Sequence, residues 1–186
     1  MHDEAGIVST RMIHAGRIID ITEDEVRFPN GSVGNVTVVR HPGASAVVPF
    51  LGDPCAKDPA LLLIRQYRYA ANGFLLEVPA GRLDTDETPE SCARRELAEE
   101  TGCTAGTITP MTTIFTTPGF CDERIHLFMA ADLHQGEPHR ETDEFIEPVT
   151  LLMSDTLARI ERGEICDGKT IAALLFAARF RTLPRR

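Results

Sequence analysis

Residues 81–103 read GRLDTDETPESCARRELAEETGC, from Gly81 to Cys103, and this stretch decides how the rest of the chain is read. It starts as a polar loop and continues as a helix with both ends marked. Thr88 suits the cap, Pro89 the first helical position, and Gly102 the residue that ends a helix. Between Asp84 and Glu100 stand seven acidic residues and two arginines, a local net charge of −5. On a helix, Glu96 and Glu100 are i,i+4 neighbours and Glu99 lies three residues after Glu96, so the three share a face. Carboxylates this close repel one another unless a cation sits among them. Hard oxygen ligands on a rigid element suit Mg²⁺ or Mn²⁺. Arg95, beside Glu96 and four residues before Glu99, can pin a carboxylate or reach back to the loop. The plain alternative is a solvated, charged helix face.

The spacing weighs against that alternative. Gly81 stands six residues before Glu87, and Glu87 stands eight before Arg95-Glu96-Leu97-Ala98-Glu99-Glu100-Thr101-Gly102. This resembles the Nudix hydrolase signature G-x5-E-x7-R-E-U-x-E-E-x-G-U, where U is a bulky aliphatic residue. Gly81, Glu87, Arg95, Glu96, Leu97, Glu99, Glu100 and Gly102 match. Cys103 at the last aliphatic position is a mild departure, since a buried thiol behaves as a small hydrophobe. The similarity extends from about His41 to the C-terminus. It implies an α/β (α+β) fold, the Nudix α/β/α sandwich around a mixed sheet with a loop–helix–loop metal site. Residues 41–186 would form that domain, preceded by a small N-terminal β subdomain in residues 1–40.

Flanking segments are similar to the ADP-ribose pyrophosphatase branch of the family. They are Arg65-Gln66-Tyr67-Arg68, Leu76-Glu77-Val78-Pro79-Ala80-Gly81, Pro118 sixteen residues after Gly102, and Lys169-Thr170-Ile171-Ala172. Carried over by position, the resemblance makes the Ala80 carbonyl, Glu96 and Glu100 the principal metal ligands, with Glu99 a further or water-mediated one. It sets Arg68 and Glu77 against the phosphate-ribose part of the substrate and Gly119, after Pro118, in a substrate-lining loop. Glu144 corresponds to the loop glutamate that handles the attacking water, with Glu141 the nearest alternative. Each residue has a bland reading too. Arg68 can be a surface residue, Glu77 a buried hydrogen-bonding group, and Pro118-Gly119 a simple turn.

The implied chemistry is hydrolysis of a nucleoside diphosphate sugar, with ADP-ribose giving AMP and ribose 5-phosphate. Two or three Mg²⁺ ions on Glu96, Glu99 and Glu100 would screen the pyrophosphate and lower the pKa of a bound water. A loop carboxylate would position that water or take its proton. GDP-mannose or another nucleotide sugar is the nearest rival substrate. A domain that senses a nucleotide without turnover is a different class of reading, and the intact glutamates argue against it. With no Trp, and Tyr only at 67 and 69, base stacking has few aromatic candidates.

The rest of the chain supplies a scaffold. Upstream, Asn30-Gly31 is a turn, and 35–40, 46–51, 60–67 and 74–78 read as strands, the third covered on both faces. Residues 79–87 read as loop. Downstream, 107–116, 124–131 and 145–152 read as strands, and 154–162 and 169–180 as helices. That order suits an α+β or α/β/α architecture. Strand-forming runs at 17–22 and 35–40 in a segment too short for its own core predict a homodimer, with the N-terminal strands contributing to base binding.

Charge and composition narrow the partners. Nineteen basic against 28 acidic residues leave a net charge of −9, which disfavours a nucleic-acid backbone binder. An acidic protein can still act on phosphates where divalent cations bridge the like charges. No stretch approaches the roughly 20 apolar residues that span a bilayer. No secretory signal is visible after Met1-His2-Asp3-Glu4. Cysteines 55, 92, 103, 121 and 166 include no CxxC pair, so free thiols in a reducing cytoplasm are expected. No histidines pair at metal-ligand spacing.

Overall fold

The first three strands are β1 (Gly6–Ala15), β2 (Asp20–Arg27) and β3 (Val33–Arg40), in a computed structural model that describes residues 5–136 and 145–180. They continue into β4 (Ala44–Leu51), β5 (Ala60–Arg68), a 3-10 turn (Tyr69–Ala71), β6 (Gly73–Glu77) and β7 (Ala80–Arg82). Then come α1 (Pro89–Thr101), β8 (Cys103–Phe115), β9 (Arg124–Gln135), β10 (Ile146–Leu152), α2 (Met153–Glu161) and α3 (Gly168–Phe180). The chain divides into two compact units, Met1–Gly43 with Phe115–Arg124 and Ala44–Ile114 with Ile125–Arg186.

In the first unit β1, β2 and β3 form an antiparallel sheet in that order. Asn30-Gly31 turns β2 into β3 as its sequence predicts, with Gly31 at φ 83° and its N–H on the Phe28 carbonyl at 2.8 Å. The strand β1 escapes the sequence reading, because all ten residues are exposed and no buried face imposes an apolar alternation. The run 17–22 proves to be the β1–β2 turn and the start of β2. There the Gly16 N–H donates to Asp20 Oδ1 at 3.1 Å.

The second unit carries a seven-stranded mixed sheet. Its main path is β10-β5-β4-β9-β8, with β6 added to β5 and β7 to β4. The β4–β9 pair is parallel, while β4 meets β5 and β7 in antiparallel fashion. Leu61 to Ile64 in β5 are buried, as an unbroken apolar run requires. Pro49 lies in the central strand β4 without breaking it. Toward β5 and β7 it falls in the gap between the β4–β7 pairing, which ends at Ala46, and the β4–β5 pairing, which starts at Phe50, while on the other edge it stands opposite Ala130 of β9.

Two cores lie in this unit. One joins Val48, Phe50, Leu61 and Leu63 of the sheet to Ala173, Leu174 and Ala177 of α3. The other joins Val47, Leu62 and Phe128 to Ala93 and Leu97 of α1. Helices on both sides of a mixed sheet make the expected α/β/α sandwich. Among the described residues no helix is long and apolar enough to cross a membrane.

Candidate active site

Helix α1 begins and ends where its sequence says. The Thr88 hydroxyl accepts the Ser91 N–H at 3.2 Å, Pro89 opens the first turn, and Gly102 closes the helix at φ 75°. Its buried stripe holds Cys92, Ala93, Glu96, Leu97, Glu100 and Thr101. Ala93 and Leu97 enter the core, which draws Glu96 and Glu100 down beside them to 9% and 2% exposure. Buried carboxylates need compensation.

Part of that compensation comes from the segment that enters the motif. Glu100 Oε2 accepts the Ala80 N–H at 3.0 Å. The Glu96 carboxylate lies directly over Gly81, in the space a Cβ there would fill. Gly81 is therefore needed for close approach, not for backbone twist. The sequence reading leaves 79–87 as loop, but Ala80 to Arg82 pair with β4 as β7. Three residues are too few to show a period.

Arg95 ties loop to helix. Its Nε and Nη2 donate to the two Glu87 oxygens at 3.0 and 2.8 Å, and Nη2 also reaches the Arg82 carbonyl at 3.0 Å. Its Nη1 donates to Glu96 Oε1 at 2.7 Å and Glu99 Oε2 at 3.0 Å. The Glu87 carboxylate, followed by Glu96 and Glu99, raises the Arg95 pKa, and Arg95 in turn holds Glu87 below the usual carboxylate range. Cys92 points its thiol at the Gly81 and Arg82 carbonyls, both at 3.4 Å. Burial pushes that thiol up to about 12, so it stays a neutral donor.

Arg68 and Glu77 lie in the same unit and pair with each other. Arg68 Nε and Nη2 donate to Glu77 Oε1 and Oε2, both at 2.8 Å. The Arg68 side chain keeps 39% exposure, whereas that of Glu77 keeps 1%. Lys169 Nζ also binds Glu77 and reaches Asp167 Oδ2 at 2.9 Å. Burial alone would raise the Glu77 carboxyl, but the Arg68 hydrogen bonds and the Lys169 charge outweigh it and hold the pKa low. Sequence spacing gave no role to Asp167 or Lys169, although Lys169-Thr170 belongs to a segment similar to the family.

The second unit thus holds Arg68, Glu77, Ala80, Arg95, Glu96, Glu99 and Glu100. Pro118 and Gly119 belong to the first unit. There they line a cavity of about 200 Å³ with Val36, Val38, Phe115, Phe120, Cys121 and Asp122. Glu141 and Glu144 lie outside the described residues. Among the described residues no three His, Cys, Asp or Glu side chains are gathered as a metal cluster. The donor chemistry nonetheless fits a hard divalent ion. Glu96, Glu99 and Glu100 offer only oxygen, and Arg95 is the cation that Glu96 and Glu99 share.

Comparison with known proteins identifies the family. The NUDIX domain model matches residues 40–173. The ADP-ribose pyrophosphatase of Bacillus subtilis (strain 168) is 36% identical over 175 residues, 93% of this chain and 92% of that protein. A GDP-mannose pyrophosphatase of Escherichia coli O1:K1 / APEC is 40% identical over 128 residues, 64% of this chain and 66% of that protein. The crystal structure of an ADP compounds hydrolase superposes with a TM-score of 0.79 across 97% of this chain and 95% of that one. At 20% identity, that likeness shows the fold. With a capped helix bearing the glutamates, a glycine beneath Glu96 and a family match across most of its length, this chain belongs to the Nudix family of hydrolases.

Proposed function

We propose that this Nudix enzyme hydrolyses the pyrophosphate bond of ADP-ribose, releasing AMP and ribose 5-phosphate, with Mg²⁺ or Mn²⁺ as its cofactor. One observation carries the proposal. Glu96 and Glu100 lie buried on one face of α1, against Gly81 and the Ala80 backbone, and with Glu99 form an all-oxygen donor set that suits a hard divalent cation. Similarity to an ADP-ribose pyrophosphatase over 93% of the chain supports the substrate.

Glu96, Glu99, Glu100 and the Ala80 carbonyl are the residues that would hold two or three ions. When bound, such ions neutralise pyrophosphate oxygens and acidify a water. Arg95 keeps the carboxylates apart from solvent disorder by clamping Glu87, Glu96 and Glu99. Arg68 presents its exposed edge to the phosphate-ribose part of the substrate, and Glu77 fixes the direction of that edge. The resemblance also assigns Pro118 and Gly119 to substrate contact. Glu144, with Glu141 as the alternative, positions the attacking water or takes its proton.

The chain acts as a homodimer through residues 1–40, in the cytoplasm. Support comes from the exposure of all of β1 and from five free cysteines, which a reducing compartment preserves. The 40% identity to a GDP-mannose pyrophosphatase favours GDP-mannose as the second reading. Product release from ADP-ribose, GDP-mannose, ADP-glucose and ATP, with Mg²⁺ and with EDTA, tests both. ADP-ribose should have the highest kcat/KM, and EDTA should abolish turnover reversibly. A higher value for GDP-mannose would overturn the substrate, and undiminished turnover without metal would overturn the metal mechanism.

A further inference from the structure

The segment that leads into the motif passes between two ladders. Pairing of β6 with β5 ends at Glu77–Ile64, and pairing of β7 with β4 starts at Ala80–Ala46. Val78 and Pro79, between them, belong to neither ladder. Pro79 has no N–H, and its carbonyl accepts the Val47 N–H at 2.9 Å. Val78 is fully buried, so its N–H needs an acceptor from elsewhere. Thr170 supplies it: the Thr170 hydroxyl, itself fully buried on the first turn of α3, accepts that N–H at 3.0 Å.

Two residues just before Thr170 act on the same segment. Asp167 Oδ2 caps α3 by accepting the Thr170 N–H at 2.9 Å and also binds Lys169 Nζ. Lys169 then binds Glu77, the residue before Val78 and the partner of Arg68. Two cations and two anions balance in this group. Buried ion pairs add little stability over apolar packing, so their presence is better accounted for by orientation.

We propose that Asp167, Lys169 and Thr170 are positioning residues of the hydrolytic site: the first turn of α3 fixes the joint at Val78-Pro79 and the direction of Arg68. Through the joint they set Ala80, whose N–H holds Glu100, and Gly81, on which Glu96 rests. The inference rests on the pyrophosphohydrolase reading of that site, and its test has a part that does not.

Thr170→Val keeps the shape and removes the acceptor, Thr170→Ser restores it, and Lys169→Met removes the charge. Mn²⁺ binding to the substrate-free chain, followed by electron paramagnetic resonance, is measured beside kcat, KM and Tm. Thr170→Val should weaken Mn²⁺ binding and lower kcat by about tenfold each, with Thr170→Ser within roughly twofold of wild type, the scale of outer-shell effects at metal sites. Lys169→Met should raise KM for ADP-ribose by about tenfold with a smaller change in kcat, because Glu77 and Asp167 then oppose the anionic substrate. A fall in Tm with Mn²⁺ affinity and kinetics unchanged in these variants would overturn the proposal and leave the turn purely structural. If Thr170→Val does not fold, Lys169→Met decides by the same split of KM against kcat. If wild type binds Mn²⁺ yet hydrolyses no nucleotide sugar, the functional reading fails while the Mn²⁺ comparison still decides the positioning.

Discussion

Gly81 and Glu96 show how much one missing methyl group can control. The Glu96 carboxylate occupies the space that a Cβ at Gly81 would need, and neither β7 nor the buried face of α1 can easily retreat. Gly81→Ala should therefore fold and lose activity. The backbone there has no positive φ, so the strain falls on the Glu96 side chain. A displacement near 1 Å at a reacting centre costs about 100-fold in rate. We expect kcat to fall by about that factor, with unchanged circular dichroism and a Tm within a few degrees of wild type. Near-wild-type kcat in Gly81→Ala would mean that Glu96 does not need this position for turnover. Glu96, Glu99, Glu100 and Arg95 were legible in the sequence, because i,i+4 spacing on one helix fixes their neighbours. The Glu77–Lys169 pair was not, since its members are 92 residues apart and meet only when α3 packs on the sheet.

Elements were legible in proportion to their punctuation. Helix α1 carries its cap, its Pro and its closing Gly in the sequence, and β5 carries an unbroken apolar run. Strands β1 and β7 carry neither signal, the first being exposed throughout and the second only three residues long. Docking of α3 on the sheet depends on charge as well as on Leu174 and Ala177, and this gives it an acid limit. The Glu77 carboxyl ordinarily titrates near 4.5 and is held lower in the folded chain. Its pairing thus contributes fully above about pH 4.5 and is lost as pH falls through the folded-state value. Glu77→Gln should be less stable than wild type at pH 7 by about 3 kcal/mol, the usual cost of breaking a buried ion pair. Urea unfolding should show that gap shrinking as the pH falls below about 4.5 and closing only through the lower folded-state value, where native wild type also carries a neutral carboxyl. A gap that persists unchanged into strong acid would mean that packing, not charge, holds α3 at this point.

At the scale of the molecule, the two compact units differ in how completely they bury their strands. The larger unit covers both faces of its sheet with helices, and its core side chains are almost entirely buried. The smaller leaves Ile7, Val8, Met12 and Ile13 of β1 about half exposed or more, and among the described strands β1 pairs only with β2. An edge strand of ten residues with apolar side chains and no bounding proline invites a second chain. A net charge of −9 opposes association in general, so only a patch of this kind overcomes it, and a specific dimer is expected rather than open aggregation. Light scattering at micromolar concentration should give twice the 20.5 kDa chain mass. The double variant Ile7→Lys, Met12→Lys should shift that mass to a single chain while α1 and its carboxylates, which lie in the other unit, keep their Mn²⁺ affinity. Wild type at 20.5 kDa would refute the dimer. A double variant that stays dimeric would move the interface away from β1. If the monomer binds metal as well as the dimer but has a raised KM for ADP-ribose, the N-terminal strands serve the nucleotide and not the metal, as a division into two units with separate tasks requires.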